Sequence, residues 1–508
     1  MRRGRAFVQY AADWTKQYLQ AKGASTAVIF GLSALALLSS AGAGIDLARG
    51  MMVKARLQAA LDASALAVGT TNGQTIDNLT ALANQYFNAN YSTSELGTHG
   101  AVSVIQTGQK MSLQVAGSMP TSLLTVMGIG SLDFTVNSEV TRAVTKLRVA
   151  LVLDNTGSMS QTDNTGTSKI SALKTATHQL LTQLQNAATT PGDVQVSIIP
   201  FSLDVNMGTG SAAADWIDWS DFEAAPPNSM PGSNVGPGTS CPYATNTSPY
   251  GYGCLNLSSG KIAADGKIYP GTDNGNYNSG RGGHHYNGYY DSTGGSCSTK
   301  KGVTTCSGVV HKWVKPLHSA WTGCFMDRAQ SYDTDNTTPS TGNPSTLFPA
   351  EINDYCPPVT LSPLGYDWSA LSAKVDQMTP NGSTNQTIGL AWGWQALTTG
   401  NPLNAPAQDP TVQNVIVLLS DGLNTQDRWY GNGSTSNSNV DSRMAAACAN
   451  AKAAKVTIYT VLVMSGNSSV LQNCATDNTK YYELSTAGAI VTAFNTIGTE
   501  LANLHLSK

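Results

Sequence analysis

Long apolar runs alternate with polar loops through the second half of the chain. The stretches 147–153, 194–201, 414–420 and 456–463 consist mostly of branched apolar residues. The first contains six apolar residues out of seven, which is too continuous for a strand with one wet face. Runs of this kind are typical of parallel strands covered on both faces. They therefore predict the buried strands of a sheet.

Apolar residues between these runs recur at helical spacing. The predicted helices lie near 170–184, 368–375, 388–397, 444–454 and 490–504. Strands that alternate with helices predict an α/β fold, in which helices cover both faces of a doubly wound, mostly parallel sheet. This pattern begins near residue 146 and is interrupted between residues 206 and 365, where periodic apolar runs are few.

The N-terminal region has a different pattern. Residues 23–45 carry no charge, and at about 1.5 Å per residue they span a bilayer core of about 30 Å. Five basic residues lie in the tail 1–22, which predicts a cytoplasmic N-terminus. The alternative is a cleaved signal peptide, because Ala41-Gly-Ala43 resembles a cleavage site. We favour a transmembrane helix, since the helical pattern continues to about Val68.

Residues 46–145 predict a helical stalk followed by antiparallel strands. A second helix is expected over 75–90, and a hairpin pairs 101–105 with 111–115. Two further strands are expected at 132–136 and 139–144. This outline fits a pilin-like α+β region or a generic α+β stalk, and the pattern does not separate the two.

The interruption at 206–365 is rich in Gly, Ser, Asn, Pro and Tyr. Such a composition is compatible with disorder. Four tryptophans, Trp216, Trp219, Trp313 and Trp321, and six cysteines indicate instead that it is at least partly folded. We expect an insertion that leaves the sheet as a surface excursion.

All eight cysteines follow residue 240, and none forms a C-x-x-C pair. An even, loosely spaced set predicts disulfides in an oxidising compartment. Zinc is the alternative, but no tight Cys/His quartet is present. Six cysteines in the insertion allow 15 pairings. Local closure favours three pairs there and one pair beside the sheet: Cys241–Cys254, Cys297–Cys306, Cys324–Cys356 and Cys448–Cys474.

Composition narrows the function classes. The chain has 508 residues, too many for one ordinary domain, and only 12% of them are charged, which suits an exported or surface protein. A net charge of -3 provides no basic field, so nucleic acid is not an expected partner. No Ser/His/Asp order, H-E-x-x-H motif or phosphate loop is present, so we do not expect an enzyme.

Oxygen-bearing side chains follow two of the predicted buried strands. Asp154, Thr156 and Ser158 come after 147–153, and Asp421 ends 414–420. Thr384 lies in a polar loop before a predicted helix. Ligands of open α/β sheets bind at the carboxyl ends of the strands, and hard divalent cations prefer oxygen. The sequence thus predicts a magnesium site, with helix caps and turns as the alternative.

Asp-x-Thr-x-Ser, the Thr384 loop and Asp421, in this order, resemble the von Willebrand factor A fold with its metal-ion-dependent adhesion site. The resemblance implies that Asp154, Thr156, Ser158, Thr384 and Asp421 hold Mg²⁺ or another divalent cation such as Mn²⁺ or Ca²⁺. Thr156 stands where the family usually has serine. In that family the metal is not hydrolytic but accepts a carboxylate from a partner protein.

The N-terminal region resembles the TadE/TadG-like proteins of tight adherence (Tad/Flp) pilus assembly. The apolar span, Gly44-Ile-Asp46 and the run RLQAALDASALA at 56–67 carry the resemblance. The pilin-processing signature, a glycine followed five residues later by glutamate, is absent, since Val28 stands five residues after Gly23; we therefore do not expect prepilin-type cleavage.

The resemblance implies a single-pass protein of the bacterial inner membrane whose bulk is periplasmic or surface-exposed. Its partners would be minor pilins or assembly proteins that supply an acidic residue to the metal. The alternative function is a surface adhesin whose insertion contacts a host or substrate surface.

Overall fold

The computed structural model describes the chain with short gaps. The described residues are 16, 22–71, 74–92, 96–107, 110–141, 145–226, 230–242, 259–270, 286, 288–408, 410–464 and 466–506. They form two compact units, Met1–Val144 with Leu506–Lys508, and Thr145–His505.

The described helices of more than three residues, apart from 3₁₀ turns, are α1 (Lys22–Gly69), α2 (Ile76–Asn90), α3 (Lys169–Ala187), α4 (Ser220–Glu223), α5 (Trp368–Asp376), α6 (Gln386–Ala396), α7 (Ser438–Ala453), α8 (Ser468–Cys474) and α9 (Ala489–Leu506). The strands of the first unit are β1 (Thr98–His99), β2 (Ser103–Thr107), β3 (Lys110–Pro120) and β4 (Ser131–Thr141). Those of the second unit are β5 (Lys146–Asp154), β6 (Val194–Phe201), β7 (Val205–Asn206), β8 (Ile217–Asp218), β9 (Tyr289–Thr293), β10 (Ser296–Lys300), β11 (Val303–Ser307), β12 (Val310–Val314), β13 (Cys324–Phe325), β14 (Phe348–Glu351), β15 (Ser362–Gly365), β16 (Val412–Ser420), β17 (Thr457–Val463) and β18 (Tyr481–Leu484).

The first unit packs one long helix against a small antiparallel sheet. Helix α1 is continuous, as predicted, and by length and composition it is the described helix able to cross a membrane. Its C-terminal half buries Val53, Leu57 and Leu61 against the sheet, in which β3 pairs with β1, β2 and β4. The N-terminal half leaves large apolar side chains such as Phe30 exposed.

The prediction of two separate strands at 132–136 and 139–144 is wrong. Strand β4 is continuous over its eleven residues and pairs with β3 from Ser131 to Thr141. Its two central polar residues do not break it, because Asn137 bonds to Gln114 across the ladder at 2.9 Å and Ser138 bonds to Asp62 of α1 at 2.6 Å.

A doubly wound sheet organises the second unit. Strands β18, β17, β16, β5 and β6 are parallel neighbours in this order, and β15 pairs antiparallel with β6. When these six strands are numbered along the chain, their spatial order is 3-2-1-4-5-6, which is the doubly wound order. The predicted von Willebrand factor A fold class is confirmed.

Two apolar layers cover the faces of this sheet. One layer packs Leu173 of α3, Leu371 of α5 and Phe494 of α9 against it. The other packs Trp392 of α6 and Met444 of α7 on the opposite face. The strands are therefore dry on both sides, which explains their continuous apolar runs.

The prediction that residues 206–365 leave the sheet as a surface excursion is wrong for much of this segment. Strands β7, β13, β14 and β8 extend the sheet beyond β6, and the rings of Phe325 and Phe348 pack at a tilt against Trp392 of α6. Among the described residues, the middle of the insertion forms two separate two-stranded sheets, β9 with β12 and β10 with β11. The integrated strands have two to four residues, which is too short for a periodic signal.

The structure contains three of the predicted disulfides. Cys297–Cys306 joins directly paired residues of β10 and β11. Cys324–Cys356 joins β13 to the loop between β14 and β15, and Cys448–Cys474 joins α7 to α8. Their sequence separations of 9, 32 and 26 residues fit the expectation of local closure. The fourth predicted pair, Cys241–Cys254, involves a residue outside the described part of the chain.

Replacing Phe325 with alanine tests whether the insertion belongs to the core. The ring is fully buried, so Phe325→Ala should lower the free energy of unfolding by about 3–5 kcal/mol. The control Val303→Ala removes an exposed side chain of β11 and should change it by less than about 0.5 kcal/mol. Urea denaturation of the full chain in detergent, followed by tryptophan fluorescence, measures both. Equal, small losses would contradict an integrated insertion.

Candidate functional site

The candidate site lies where the sheet's order reverses. Strand β5 ends at Asp154, its parallel neighbour β16 ends at Ser420, and Asp421 follows directly. Consecutive connections leave β5 and β16 in opposite directions along the sheet, which opens a crevice at their carboxyl ends. The topology thus brings together two carboxylates that are more than 250 residues apart in the chain.

Two hydroxyl groups connect the carboxylates. Thr156 Oγ1 donates to Asp154 Oδ1 at 2.6 Å, and Ser158 Oγ donates to Asp421 Oδ1 at 2.7 Å. The two hydroxyl oxygens are 3.0 Å apart. With both protons directed to carboxylates, each oxygen keeps its lone pairs for another partner. Two oxygens on adjacent corners of an octahedral Mg²⁺, each at about 2.1 Å, also stand about 3.0 Å apart.

Thr384 reaches the same place from the loop before α6. A Cβ built on Gly422 would lie 3.5 Å from Thr384 Oγ1 and 3.8 Å from Ser158 Oγ, so both hydroxyls converge on the space beside this glycine. The loop is held by its backbone, since Thr384 N donates to Thr425 Oγ1 at 3.0 Å. Ser158, Thr384 and Asp421 line a cavity of about 500 Å³.

Asp154 lies beneath the hydroxyls and is fully buried. Its Oδ1 also accepts from Thr156 N at 2.9 Å, and its Oδ2 accepts from Ser420 Oγ at 2.7 Å. Burial, and then the negative charge of Asp421, raise the pKa of Asp154 to about 7. A cation beside the two carboxylates would favour their charged forms. Asp154 is thus placed to orient ligands and balance charge.

Lys169 is a site residue that the sequence analysis missed. Its Nζ donates to Asp421 Oδ2 at 2.6 Å and to Gln161 Oε1 at 3.2 Å, and its side chain is only 1% exposed. One signal was available in the sequence. Lys169 is the first residue of α3, where the positive end of the helix dipole favours acidic residues over basic ones. A lysine there needs a specific acidic partner.

Gln386 was missed as well. Its Nε2 donates to Ser420 Oγ at 2.9 Å and to the carbonyl oxygen of Gly422 at 3.1 Å. Because Ser420 in turn donates to Asp154, the amide fixes the end of β16 beside Asp421 and, through Ser420, contacts the carboxylate of Asp154. Nothing in the sequence distinguishes this glutamine from an ordinary residue of a helix's first turn.

The structure brings the five predicted ligands together. Asp154, Thr156, Ser158 and Asp421 are joined by hydrogen bonds, and Thr384 converges with Ser158 beside Gly422. Among the described residues no group of three or more His, Cys, Asp or Glu side chains could hold a metal. The ligand set here has two carboxylates and three hydroxyls, and this chemistry fits a hard divalent cation.

The insertion supports the loop that carries Thr384. Asp327, two residues after the end of β13, accepts from Asn385 Nδ2 at 2.8 Å and from Arg428 N at 3.1 Å through its Oδ2. Asn385 is the N-cap of α6, where its Oδ1 accepts from Ile388 N. Burial, followed by the charges of Asp427 and Asp333, raises the pKa of Asp327 to about 8.

This shift predicts the pH dependence of stability. A carboxyl whose pKa is raised by folding from about 4 to about 8 stabilises the fold most below about pH 4, and this stabilisation is lost progressively as pH rises from about 4 to about 8. Asp327→Asn should therefore be closest to wild type at about pH 3 and become progressively more stable than wild type up to about pH 8. Urea denaturation across this range measures the difference.

The control for this pH series is Asp265→Asn, which changes an aspartate that is more than half exposed. It should follow the wild-type curve at every pH. If the difference between Asp327→Asn and wild type were constant with pH, Asp327 would not titrate in this range.

Residues 23–71, about a tenth of the chain, match the family model described as "Putative Flp pilus-assembly TadE/G-like". A comparison with curated protein sequences found no match.

Several solved structures are similar at low identity. The pilus adhesin SpaC from Lactobacillus rhamnosus GG is 12% identical with a TM-score of 0.32, over 82% of this chain and 36% of that protein. The vWF domain of the type V pili tip protein Mfa5 from Porphyromonas gingivalis is 9% identical with a TM-score of 0.33, over 72% of this chain and 97% of that one.

A third similar structure is mussel byssus proximal thread matrix protein 1 with a zinc-occupied MIDAS motif. It is 10% identical with a TM-score of 0.29, over 71% of this chain and 46% of that protein. The matches to this protein and to SpaC span less than half of those proteins.

Proposed function

We propose that this chain, whose N-terminal segment is TadE/G-like, is a membrane-anchored component of Tad (Flp-type) pilus assembly that binds partner proteins through a divalent cation. The family match and the long apolar helix support the pilus and membrane parts of the proposal. The observation that carries the binding part is the hydroxyl pair of Thr156 and Ser158, whose oxygens stand 3.0 Å apart with their protons directed to carboxylates.

In this proposal the hydroxyls of Thr156, Ser158 and Thr384 hold the cation, Mg²⁺ by preference. Asp154 and Asp421 act on it mainly through those hydroxyls or through water. Because the direct ligands are neutral, the bound cation keeps most of its charge. It supplies an electrophilic centre for a carboxylate oxygen of the partner. The chain's own residues orient this centre and hydrolyse nothing, so we propose a binding function without catalysis.

Lys169 strengthens the argument for an acidic partner. Two charged carboxylates and one ammonium leave the site with one negative charge, and a divalent cation would change this to one positive charge. Without the lysine, the loaded site would be neutral. A net positive, largely desolvated site favours an anion, and an Asp or Glu of a minor pilin or assembly protein supplies one.

The proposal includes a location. Helix α1 would cross the bacterial inner membrane once with its N-terminus in the cytoplasm, and the part of the chain that follows the membrane span would lie in the periplasm or at the cell surface. The disulfides agree with an oxidising compartment.

The test counts pili per cell in a deletion strain complemented with variants at equal protein level. Ser158→Ala removes one hydroxyl of the pair, and Asp154→Ala combined with Asp421→Ala removes the carboxylates. Both should abolish or strongly reduce piliation. Ser160→Ala is the matched control, since this hydroxyl is exposed and bonds only to the nearby Gly157 carbonyl among its described contacts.

Normal piliation by Ser158→Ala and by the double variant would contradict a role of this site in assembly. If those cells also lost attachment to surfaces, the result would favour the adhesin alternative instead.

A further inference from the structure

An apolar loop closes the sheet of the first unit between β3 and β4. We call residues 121–130 the apolar loop. None of its ten residues is charged, and it includes a 3₁₀ turn at Leu124–Met127. Leu123, Val126, Met127 and Ile129 expose between 43% and 74% of their surfaces. Four exposed apolar side chains within seven residues form an apolar patch, and patches of this kind mark contacts with a partner or a membrane.

The apolar loop lies beside the end of the apolar span of α1. A Cβ built on Gly42 would stand 2.7 Å from Leu123 Cβ, so this glycine allows the loop to approach the helix closely. One turn later, Asp46 contacts the loop directly, and Arg49 donates to Ser122 Oγ at 3.4 Å. Residues 42–45 belong to the charge-free stretch, so the loop overlaps it by about 6 Å at about 1.5 Å per residue. Amphipathic segments at membrane interfaces bury their apolar faces by about 5–10 Å.

Asp46 satisfies the backbone donors at the start of the apolar loop. Its Oδ2 accepts from Ser122 N at 3.1 Å, Leu123 N at 2.6 Å and Leu124 N at 2.8 Å. Further along, Val126 N bonds to Leu123 O, and Ile129 N bonds to Leu124 O, both at 3.2 Å. Unpaired backbone donors cost several kcal/mol each in lipid, and these bonds remove that cost for the five donors that they pair.

We propose that the apolar loop inserts into the membrane interface beside α1, so that the first unit contacts lipid at a second place. The inference rests on the proposed membrane anchor. Exposed Ile45 and Leu47 of α1 lie at the same level, so the patch continues the apolar surface of the span. A protein partner is the other possible occupant, but interface cores are enriched in aromatic residues, methionine and arginine, and of these the loop contains only Met127.

The consequence is a fixed orientation of the first unit at the membrane. A single helix leaves the attached domain free to tilt and to rotate about the helix axis. A second contact, one loop away from that axis, removes part of this freedom.

The test measures where single nitroxide labels lie when the full chain is reconstituted in phosphatidylethanolamine–phosphatidylglycerol bilayers. Every cysteine of the described residues is in a disulfide, so introduced cysteines are the sites labelled. Val126→Cys reports on the apolar loop and Phe30→Cys on the span. Ile105→Cys is the matched control, because Ile105 is also apolar and exposed. Its ladder partner Ser112 pairs in turn with Glu139, and Ser138 beside Glu139 bonds to Asp62 of α1, so Ile105 lies about level with Asp62.

Relaxation enhancement by oxygen, which partitions into lipid, and by a water-soluble nickel chelate gives the depth of each label. We expect Phe30 and Val126 to be lipid-exposed and Ile105 to be water-exposed. A lipid-exposed Phe30 with a water-exposed or protein-covered Val126 would overturn this inference and leave the anchor intact. Water exposure of all three labels would overturn the membrane anchor and the loop insertion together.

Asp46→Ala tests the capping argument separately. Loss of the acceptor should increase nickel accessibility at Val126 several-fold and leave Phe30 unchanged. No change at Val126 would show that Asp46 is not what allows the loop to enter lipid. Should this variant not fold, the depth of Val126 in the wild-type background decides the proposal alone.

Discussion

The second unit depends on compensating the negative charges of two buried carboxylates, which the topology of its sheet brings close together. Asp154 and Asp421 follow adjacent parallel strands, and both are buried. Their mutual repulsion and the loss of hydration oppose the charged forms. Hydroxyl donors from Thr156, Ser158 and Ser420, together with the ammonium group of Lys169, stabilise the two carboxylates. These donors come from three segments that surround the carboxylates: the turn after β5, the start of α3 and the end of β16.

These donors compensate the charges of the two carboxylates only in part, which leaves the site able to bind a cation. Burial and Asp421 keep the pKa of Asp154 near 7, so the site still gains from a further positive charge. The hydroxyl oxygens retain lone pairs, and those of Ser158 and Thr384 converge beside Gly422, where a side chain would otherwise stand. Support extends into the insertion, because Asp327 holds the N-cap Asn385 next to Thr384. A change in the insertion can therefore reach the site through one hydrogen bond.

The doubly wound sheet and the five candidate ligands could be predicted because both are encoded locally. Continuous apolar runs mark strands buried on both faces, and each ligand follows such a run or precedes a helix. The disulfides followed from local closure, and Cys297 and Cys306 are directly paired in a hairpin. In contrast, the strands of the insertion are too short to show a period, and Lys169 meets Asp421 only through tertiary packing. The continuous β4 was mistaken for two strands because Asn137 and Ser138 are polar, and their partners lie on other elements.

The central claim is that the hydroxyl of Thr156 holds a divalent cation, and titration calorimetry with Mg²⁺ tests it directly. The chain offers a matched pair of variants: Thr156→Ser keeps the oxygen and loses a methyl group, whereas Thr156→Val keeps the shape and loses the oxygen. Wild type and Thr156→Ser should each bind Mg²⁺ at one site, whereas Thr156→Val should lose at least tenfold in affinity, or about 1.4 kcal/mol. Equal binding by all three, or no binding by the wild-type protein, would contradict it.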